Sequence, residues 1–166
     1  SAEAIHPNNR KRVIRALEFY QETGRKISEH NAKEQMRTSP YNFAYFVLND
    51  ERSHLYKRID ARVDKMIEDG LEAEVRRLKE MGCTKDMVAM QGIGYKEMLS
   101  YLDGSYSLEE AVYIIKRETR HFAKRQITWF KRERDVIWLN KNEFDYKNEA
   151  ILAYMIKILK EKAIIS

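Results

Sequence analysis

Two short apolar runs, far apart in the chain, place the strongest limit on its fold. The first lies in YNFAYFVLND and predicts a strand over Phe43–Leu48, and the second, VIWL, predicts a strand over Val136–Leu139. Successive apolar residues are typical of strands that are buried on both faces, as in a parallel sheet covered by helices. Because two such strands cannot form a stable sheet alone, we expect the missing strands to lie upstream of Ser1.

Helical patterns fill most of the remaining chain. The predicted helix starts are Asn8, Asp50, the capping-box pair Ser107 and Glu110, and Asp145. The glycines predicted to end helices are Gly24, Gly70, Gly82 and Gly104. The helix after Asp50 has the clearest inward stripe, formed by Leu55, Ile59, Val63 and Met66. We therefore expect a mostly α fold with a few short strands, in a single unit spanning residues 1–166.

Length and composition restrict the class of protein. With 166 residues, of which 43% are apolar, the chain can bury roughly 70% of its unfolded surface. No apolar run approaches the ~20 residues of a membrane span, and no signal peptide pattern is present. The single cysteine, Cys83, cannot form an internal disulfide, which favours a reducing cytoplasm. Since Ser1 is not preceded by Met, we expect the chain to be a processed or excised piece of a longer protein.

The segment Lys116–Arg134 concentrates the positive charge of the chain. It contains eight Lys and Arg residues and only two acids, Glu118 and Glu133, which gives the segment a net charge of +6. The whole chain carries +5. The rest of the chain is therefore close to neutral. Such a local excess is expected of a protein with a phosphate-rich partner. The alternative is a solvated helix face whose charge serves solubility alone.

Two further patterns could bind phosphate. Gly92–Gly94 precede Tyr95 and Lys96, which brings backbone N–H groups, a ring and a cation together at a helix start, although a plain turn has the same pattern. Arg58 and Arg62 lie four residues apart on one helix face, where they could bind a diphosphate or pair with nearby acids. The four histidines lack the spacing of metal ligands, and no metal site is predicted.

Several long segments, taken together, resemble one known family. They are IHPNNRKRVIRALEFYQETG, RIDARVDKMIEDGLEAEVRRL, GIGYKE, YLDG and AKRQITWF, in this order. They closely resemble the C-terminal half of bacterial tRNA dimethylallyltransferases, over nearly the whole chain and more weakly after Leu139. The resemblance implies an α/β P-loop kinase-like fold whose N-terminal half is missing here. It also implies transfer of a dimethylallyl group from dimethylallyl diphosphate to N6 of the adenosine beside the tRNA anticodon, with Mg²⁺ on the diphosphate.

The resemblance implies roles for particular residues as well. Arg62 matches the arginine that contacts the prenyl diphosphate, and Arg58 is a second candidate on the same helix face. Three segments match regions that contact the tRNA anticodon stem-loop: Lys11, Arg12, Val13, Ile14 and Arg15; Gln91, Gly92, Ile93, Gly94, Tyr95 and Lys96; and Lys124, Arg125, Gln126, Ile127, Thr128, Trp129, Phe130 and Lys131. The basic helix is expected to face the RNA phosphates. Helical spacing favours packing of Trp129 and Phe130 in the core over the alternative, in which they are platforms for base stacking.

The chemistry of prenyl transfer also needs groups that this sequence does not contain. In the family, the phosphate-binding loop and the Asp near the adenine amine belong to the N-terminal half, as would the magnesium ligands. The resemblance therefore implies no catalytic residue in this chain, which alone is expected to be inactive. Two alternatives are a non-catalytic helical RNA-binding module and an interaction domain whose charge serves solubility. The first would have no upstream P-loop, and the second would show no salt-dependent RNA affinity.

Overall fold

A computed structural model of the protein describes residues 9–166, which belong to two compact units. The first unit ends at Asn42, and the second runs from Phe43 to Ser166. The expectation that residues 1–166 act as a single unit stays a prediction. No helix within residues 9–166 combines the length and the apolar character that crossing a membrane requires.

The described part of the first unit contains two helices. Helix α1 spans Arg10–Thr23 and helix α2 spans Ile27–Met36. The Asn9 side chain caps α1 by accepting a hydrogen bond from a backbone N–H of the first turn, at 3.3 Å. The predicted cap, Asn8, lies outside the described residues. The sequence gives no signal for α2 because its polar residues show no apolar periodicity.

The second unit contains all the strands of the described chain. Its elements are β1 (Tyr45–Asn49), α3 (Arg52–Glu68), α4 (Leu71–Glu80), α5 (Tyr95–Leu102), α6 (Leu108–Phe130), β2 (Val136–Asn140) and α7 (Asn148–Glu161), with 3-10 turns over Val88–Gln91 and Lys141–Phe144. The strands pair in parallel, with Tyr45 opposite Val136 and Asn49 opposite Asn140. The expected mostly helical fold with short parallel strands is confirmed.

Helices α3 to α6 enclose the main core of this unit. Met98 and Leu99 of α5 pack there against Ile115 of α6, and Val63 of α3 closes the same cluster. Val63 belongs to the predicted inward stripe of α3, whose other members are half-buried, so that prediction is confirmed. The core fixes the long helices α3 and α6 side by side. The start of α3 and the end of α6 lie near the carboxyl ends of the strands.

The predicted helix boundaries are right where the signal is local. Gly70 adopts φ 101° between α3 and α4, a backbone conformation that favours glycine. At the start of α6, the Ser107 N–H donates to Glu110 Oε2 at 2.8 Å, and the Glu110 N–H donates to Ser107 Oγ at 3.1 Å. This reciprocal pair is the predicted capping box.

Two predicted helix starts are wrong. Helix α3 begins at Arg52, because the Asp50 carboxylate accepts the adjacent Glu51 N–H at 2.8 Å and is buried instead of capping the helix. Helix α7 begins at Asn148, because Asp145 adopts a left-handed φ of 50° and ends the preceding 3-10 turn. In both places a tertiary contact or a local turn overrides the usual preference of Asp for the helix start.

Candidate functional site

A cavity of about 270 Å³ lies at the carboxyl ends of β1 and β2, between α3 and α6. Open parallel sheets bind their ligands at this edge. Much of the cavity wall is apolar, from Leu55, Ile127, Phe130 and Trp138, and its polar groups include Asp50, Arg58, Gln126 and Lys141. The cavity therefore suits a ligand with an apolar body and a polar end.

Asp50 is the buried polar group of this cavity. Its side chain is 4% exposed, and its Oδ2 has no hydrogen-bond partner among the described residues. The guanidinium of Arg58 lies 3.7 Å from Oδ2, and the imidazole of His54 lies 3.9 Å from Oδ1. Partial burial, and then the nearby Asp50 carboxylate, raise the pKa of Tyr146. Asp50 thus lies close to the guanidinium of Arg58, the imidazole of His54 and the hydroxyl of Tyr146.

The two arginines predicted to meet a diphosphate have different surroundings. Arg58 is 65% exposed and lines the cavity, where it is loosely paired with Asp50. Arg62 lies one turn further along α3 and is exposed outside the cavity wall. Among the described residues no acid lies within ion-pairing distance of Arg62. The alternative in which both arginines are held by acids therefore describes Arg58 only.

Three of the eight cations in the segment Lys116–Arg134 are paired with acids that the structure describes. On α3, Asp60 accepts two hydrogen bonds from Arg120 of α6, at 2.7 and 2.8 Å, and Asp64 pairs with Lys116 at 2.6 Å. Arg117 pairs with its neighbour Glu118 at 3.0 Å and lowers the pKa of that carboxyl. The sequence analysis did not identify these pairs. A signal was present, because the two acids of α3 and their partners on α6 have the same i, i+4 spacing.

The last two turns of α6 and the turn after the helix carry cations that acids do not hold. Lys124, Arg125, Lys131 and Arg132 are exposed, and within residues 9–166 none of them has an acid at ion-pairing distance. Trp129 is 53% exposed beside them, which corrects the expectation that it packs in the core. Phe130 does turn inward, towards the cavity. The reason is geometric: adjacent residues on a helix point about a quarter turn apart, so only one of two neighbouring rings can face the core.

The segment Gln91–Lys96 is a tight turn into α5. The Gly94 N–H donates to the buried Glu97 carboxylate at 2.8 Å, and the Tyr95 hydroxyl donates to Glu74 at 2.7 Å. That hydrogen bond, with partial burial, raises the pKa of Tyr95. Two donors that the sequence predicted as candidates for binding phosphate, the Gly94 N–H and the Tyr95 hydroxyl, thus donate to acids of this chain instead. Lys96 remains exposed, 3.3 Å from the Glu97 carboxylate.

The segment Lys11–Arg15 lies in α1 of the first unit. Lys11, Arg12 and Arg15 are exposed, Ile14 is half exposed, and Val13 is half-buried. The first turn of α1 contains no acid. Cations near a helix N-terminus oppose the helix dipole, by a few tenths of a kcal/mol each. The charges of this turn therefore add nothing to the stability of α1 itself.

Metal ligands are not assembled in the described chain. Within residues 9–166, no three His, Cys, Asp or Glu side chains come together in a way that could hold a metal ion. Asp50, the buried carboxylate of the cavity, lies beside the guanidinium of Arg58 and the imidazole of His54. These residues do not fit a magnesium site.

The chain is similar to several known enzymes that act on tRNA. A curated tRNA dimethylallyltransferase of Lachnoclostridium phytofermentans is 60% identical over 99% of the chain, which covers 52% of that relative. The structure of a full-length tRNA isopentenylpyrophosphate transferase of Bacillus halodurans is 44% identical, with a TM-score of 0.69 over 98% of this chain and 49% of that one. A eukaryotic dimethylallyltransferase acting on tRNA has a TM-score of 0.68 at 33% identity, over 82% of this chain and 36% of that one.

The chain is much shorter than the proteins that it matches. It spans about half the length of the curated relative and of the bacterial structure. The family model described as IPP transferase matches residues 1–133, which is most of the chain. The chain therefore belongs to the IPP transferase family.

Proposed function

We propose that the protein containing this chain transfers a dimethylallyl group from dimethylallyl diphosphate to N6 of the adenosine beside the tRNA anticodon. The observation that carries the proposal is 60% identity to a tRNA dimethylallyltransferase over 99% of the chain. In this reaction a bond forms between the adenine nitrogen and the allylic carbon. The carbon–oxygen bond to diphosphate breaks, and the amine loses a proton. This chain would supply the wall of the donor site and part of the RNA surface.

The cavity between α3 and α6 supports the donor role. Its apolar wall fits a dimethylallyl tail and excludes water, which would otherwise compete with the amine for the allylic carbon. Arg58 at its mouth, with Arg62 one turn further on, could bind the diphosphate. Guanidinium groups stabilise the charge that develops on the leaving diphosphate, and they bind its oxygens in pairs. Arg62 is the stronger candidate because acids do not hold it within the described chain.

The outer face of α6 supports the RNA role. Lys124, Arg125, Lys131 and Arg132 have no acid partners in the described residues, so binding phosphates would break no internal ion pair. Lys11, Arg12 and Arg15 of α1 are a second group of exposed cations, whose cost at the helix start an anionic partner would offset. We infer that both groups of cations contact the anticodon stem-loop, and that Lys96 contacts it as well.

The other half of the enzyme would complete the chemistry. We propose that this chain is the C-terminal half of a P-loop kinase-like fold and acts in the cytoplasm. The N-terminal half would carry the phosphate loop, the carboxylate near the amine and any ligands of Mg²⁺. Bound magnesium would neutralise diphosphate charge, and the described residues of this chain do not fit it. The two-stranded parallel sheet supports the proposal, since such a sheet needs further strands for stability.

The experiment that tests this function uses the full-length protein with radiolabelled dimethylallyl diphosphate and an unmodified anticodon stem-loop. We expect transfer to the adenosine, and we expect Arg62→Ala to raise the KM for the donor by roughly thirtyfold, equivalent to ~2 kcal/mol. The KM for RNA should stay within about twofold. Lys57→Ala, at an exposed cation on the same helix, is the matched control and should change neither constant.

Each part of the proposal has its own contradicting result. If the full-length protein transferred no label, the proposed activity would be wrong. If Arg62→Ala raised only the KM for RNA, the arginine would belong to the RNA surface and the assigned donor contact would be wrong.

A further inference from the structure

We propose that Trp129 is a stacking platform for an unpaired base of the RNA loop, which deepens the proposed function and rests on it. Trp129 belongs to a stripe that comprises Phe122, Arg125 and Trp129 on the outer face of α6 and continues with Arg132, in the turn just after the helix. The three helical residues are three or four positions apart, so their side chains follow one another along a single helix face. Rings and guanidiniums alternate in this stripe.

The stripe is exposed and open. Phe122 is 46% exposed and Trp129 is 53% exposed. Around Trp129 lies an open groove of about 510 Å³ whose other walls are His121, Lys124, Arg125, Thr128 and Arg132. The groove is therefore large enough for a planar ring to lie against the indole.

The indole is held in place from the inner side of the helix. The Phe130 ring meets it edge-to-face, with ring centroids 5.0 Å apart and an interplanar angle of 73°. Phe130 is itself fixed at the cavity, where the Tyr45 ring packs against its other side at 6.2 Å. An indole that is already oriented loses little side-chain entropy when a ligand stacks on it.

The charges around the groove identify the occupant. Lys124, Arg125 and Arg132 surround the indole, and no acid lies at ion-pairing distance from them within residues 9–166. An apolar protein segment would desolvate these cations without pairing them, at a high cost in free energy. A nucleotide supplies both complements at once, because its base stacks on the ring and its phosphate meets the cations. The Arg125 guanidinium already lies 5.8 Å from the centre of the Phe122 ring, the arrangement used on aromatic faces.

The base must be unpaired for this contact to form. In a duplex both faces of each base are covered by their neighbours, whereas loop bases can turn outward and stack on aromatic side chains. The proposal therefore predicts a preference for RNA with a single-stranded loop, which phosphate contacts alone would not produce.

The test measures RNA affinity of the 166-residue chain by fluorescence anisotropy, using a labelled anticodon stem-loop and a blunt RNA duplex of the same length. We expect Trp129→Ala to weaken stem-loop binding about tenfold and to leave the dependence of affinity on salt unchanged. Duplex binding should not change. Trp129→Phe should retain most of the affinity for the stem-loop while abolishing the RNA-induced quenching of tryptophan emission. Tyr113→Ala removes another exposed ring of α6, 60% exposed, and should have no effect.

The outcomes separate this proposal from the proposed function. If Trp129→Ala bound the stem-loop as the wild type does, while Lys124→Gln with Arg125→Gln weakened binding, stacking would be wrong and the RNA surface would stand. If neither substitution changed binding, the RNA role of α6 would be wrong as well. Equal losses for stem-loop and duplex would also overturn stacking, since the duplex offers no open base. Circular dichroism of each variant excludes loss of α6 as the cause.

Discussion

Asp103 is a surface carboxylate with two cationic partners. Its Oδ1 accepts from Lys79 at 2.7 Å and its Oδ2 accepts from Lys85 at 2.6 Å, so the residue joins the end of α5 to the end of α4 and the loop after it. These two lysines lower the pKa of Asp103 from 3.8 to about 2. Because the pKa is lower in the folded state, the ionised form stabilises the fold, and protonation removes that contribution. The site shows how one side chain can connect elements that are separate in sequence.

The pH dependence of stability follows from the sign of this shift. Asp103→Asn should lower the urea midpoint above pH 4, and the difference from the wild type should shrink as pH falls towards about 2. Since the pair is exposed, the effect should be small and should decrease further in high salt. Asp69→Asn removes a carboxylate with one lysine partner, at 2.6 Å, and is the control with the smaller expected effect. A difference between Asp103→Asn and the wild type that grew on acidification would contradict the assignment.

Helix α6 shows what a sequence can and cannot specify about an element. Its capping box and its basic character are local properties, and both are evident from the residues. Which cations are exposed without partners is not local, since it depends on Asp60 and Asp64 of the neighbouring helix α3. The exposure of Trp129 depends equally on where the core ends, because α6 extends beyond it. Apolar periodicity marks a ring as able to pack, without showing whether a neighbour is there.

The same distinction explains the other elements. The two strands and the glycine helix ends were predictable, because apolar runs and left-handed glycines act through the chain itself. The burial of Asp50 could not be predicted, since its carboxylate lines a cavity that is also formed by residues far along the sequence. The cavity was missed for this reason, although one of its residues, Arg58, was identified from helix spacing. Local sequence patterns thus predicted charged residues of the cavity, such as Arg58, and did not predict the cavity itself.

Salt dependence tests whether the structure identifies the right cations on α6. Lys124→Gln with Arg125→Gln should reduce the slope of log affinity for RNA against log salt by about two contacts, at 0.7 to 0.9 each. Arg117→Gln changes the same kind of charge on the same helix, but Arg117 is paired with Glu118 at 3.0 Å. We therefore expect the control to leave the slope nearly unchanged. Equal changes in slope from all three positions would show that net charge alone attracts the RNA.

The sheet of the second unit is small and partly exposed. Its parallel sheet has two strands of five residues each, and Leu48 of β1 is 61% exposed although the sequence pattern predicts burial on both faces. A parallel pair of this size gains little from its own hydrogen bonds and needs covering layers. The helices α3 to α6, by contrast, have a closed core around Met98 and Ile115. The second unit thus combines a well-packed helical core with a small, partly exposed sheet.

This difference predicts how the isolated chain behaves. We expect the 166-residue chain to transfer no dimethylallyl group above a no-protein control, since the diphosphate-binding loop and the base near the amine are proposed to lie in the other half. Hydrogen exchange measures the stability of each part in the same sample. Core amides around Met98 and Ile115 should be protected, while those of Tyr45–Asn49 should exchange quickly. In the full-length protein, transfer should appear and the β1 amides should become protected at least tenfold. Protected core amides show that the isolated chain is folded, so its inactivity would not reflect unfolding. Transfer by the isolated chain, or equal β1 protection in both proteins, would contradict the proposal that a second half completes both the sheet and the active site.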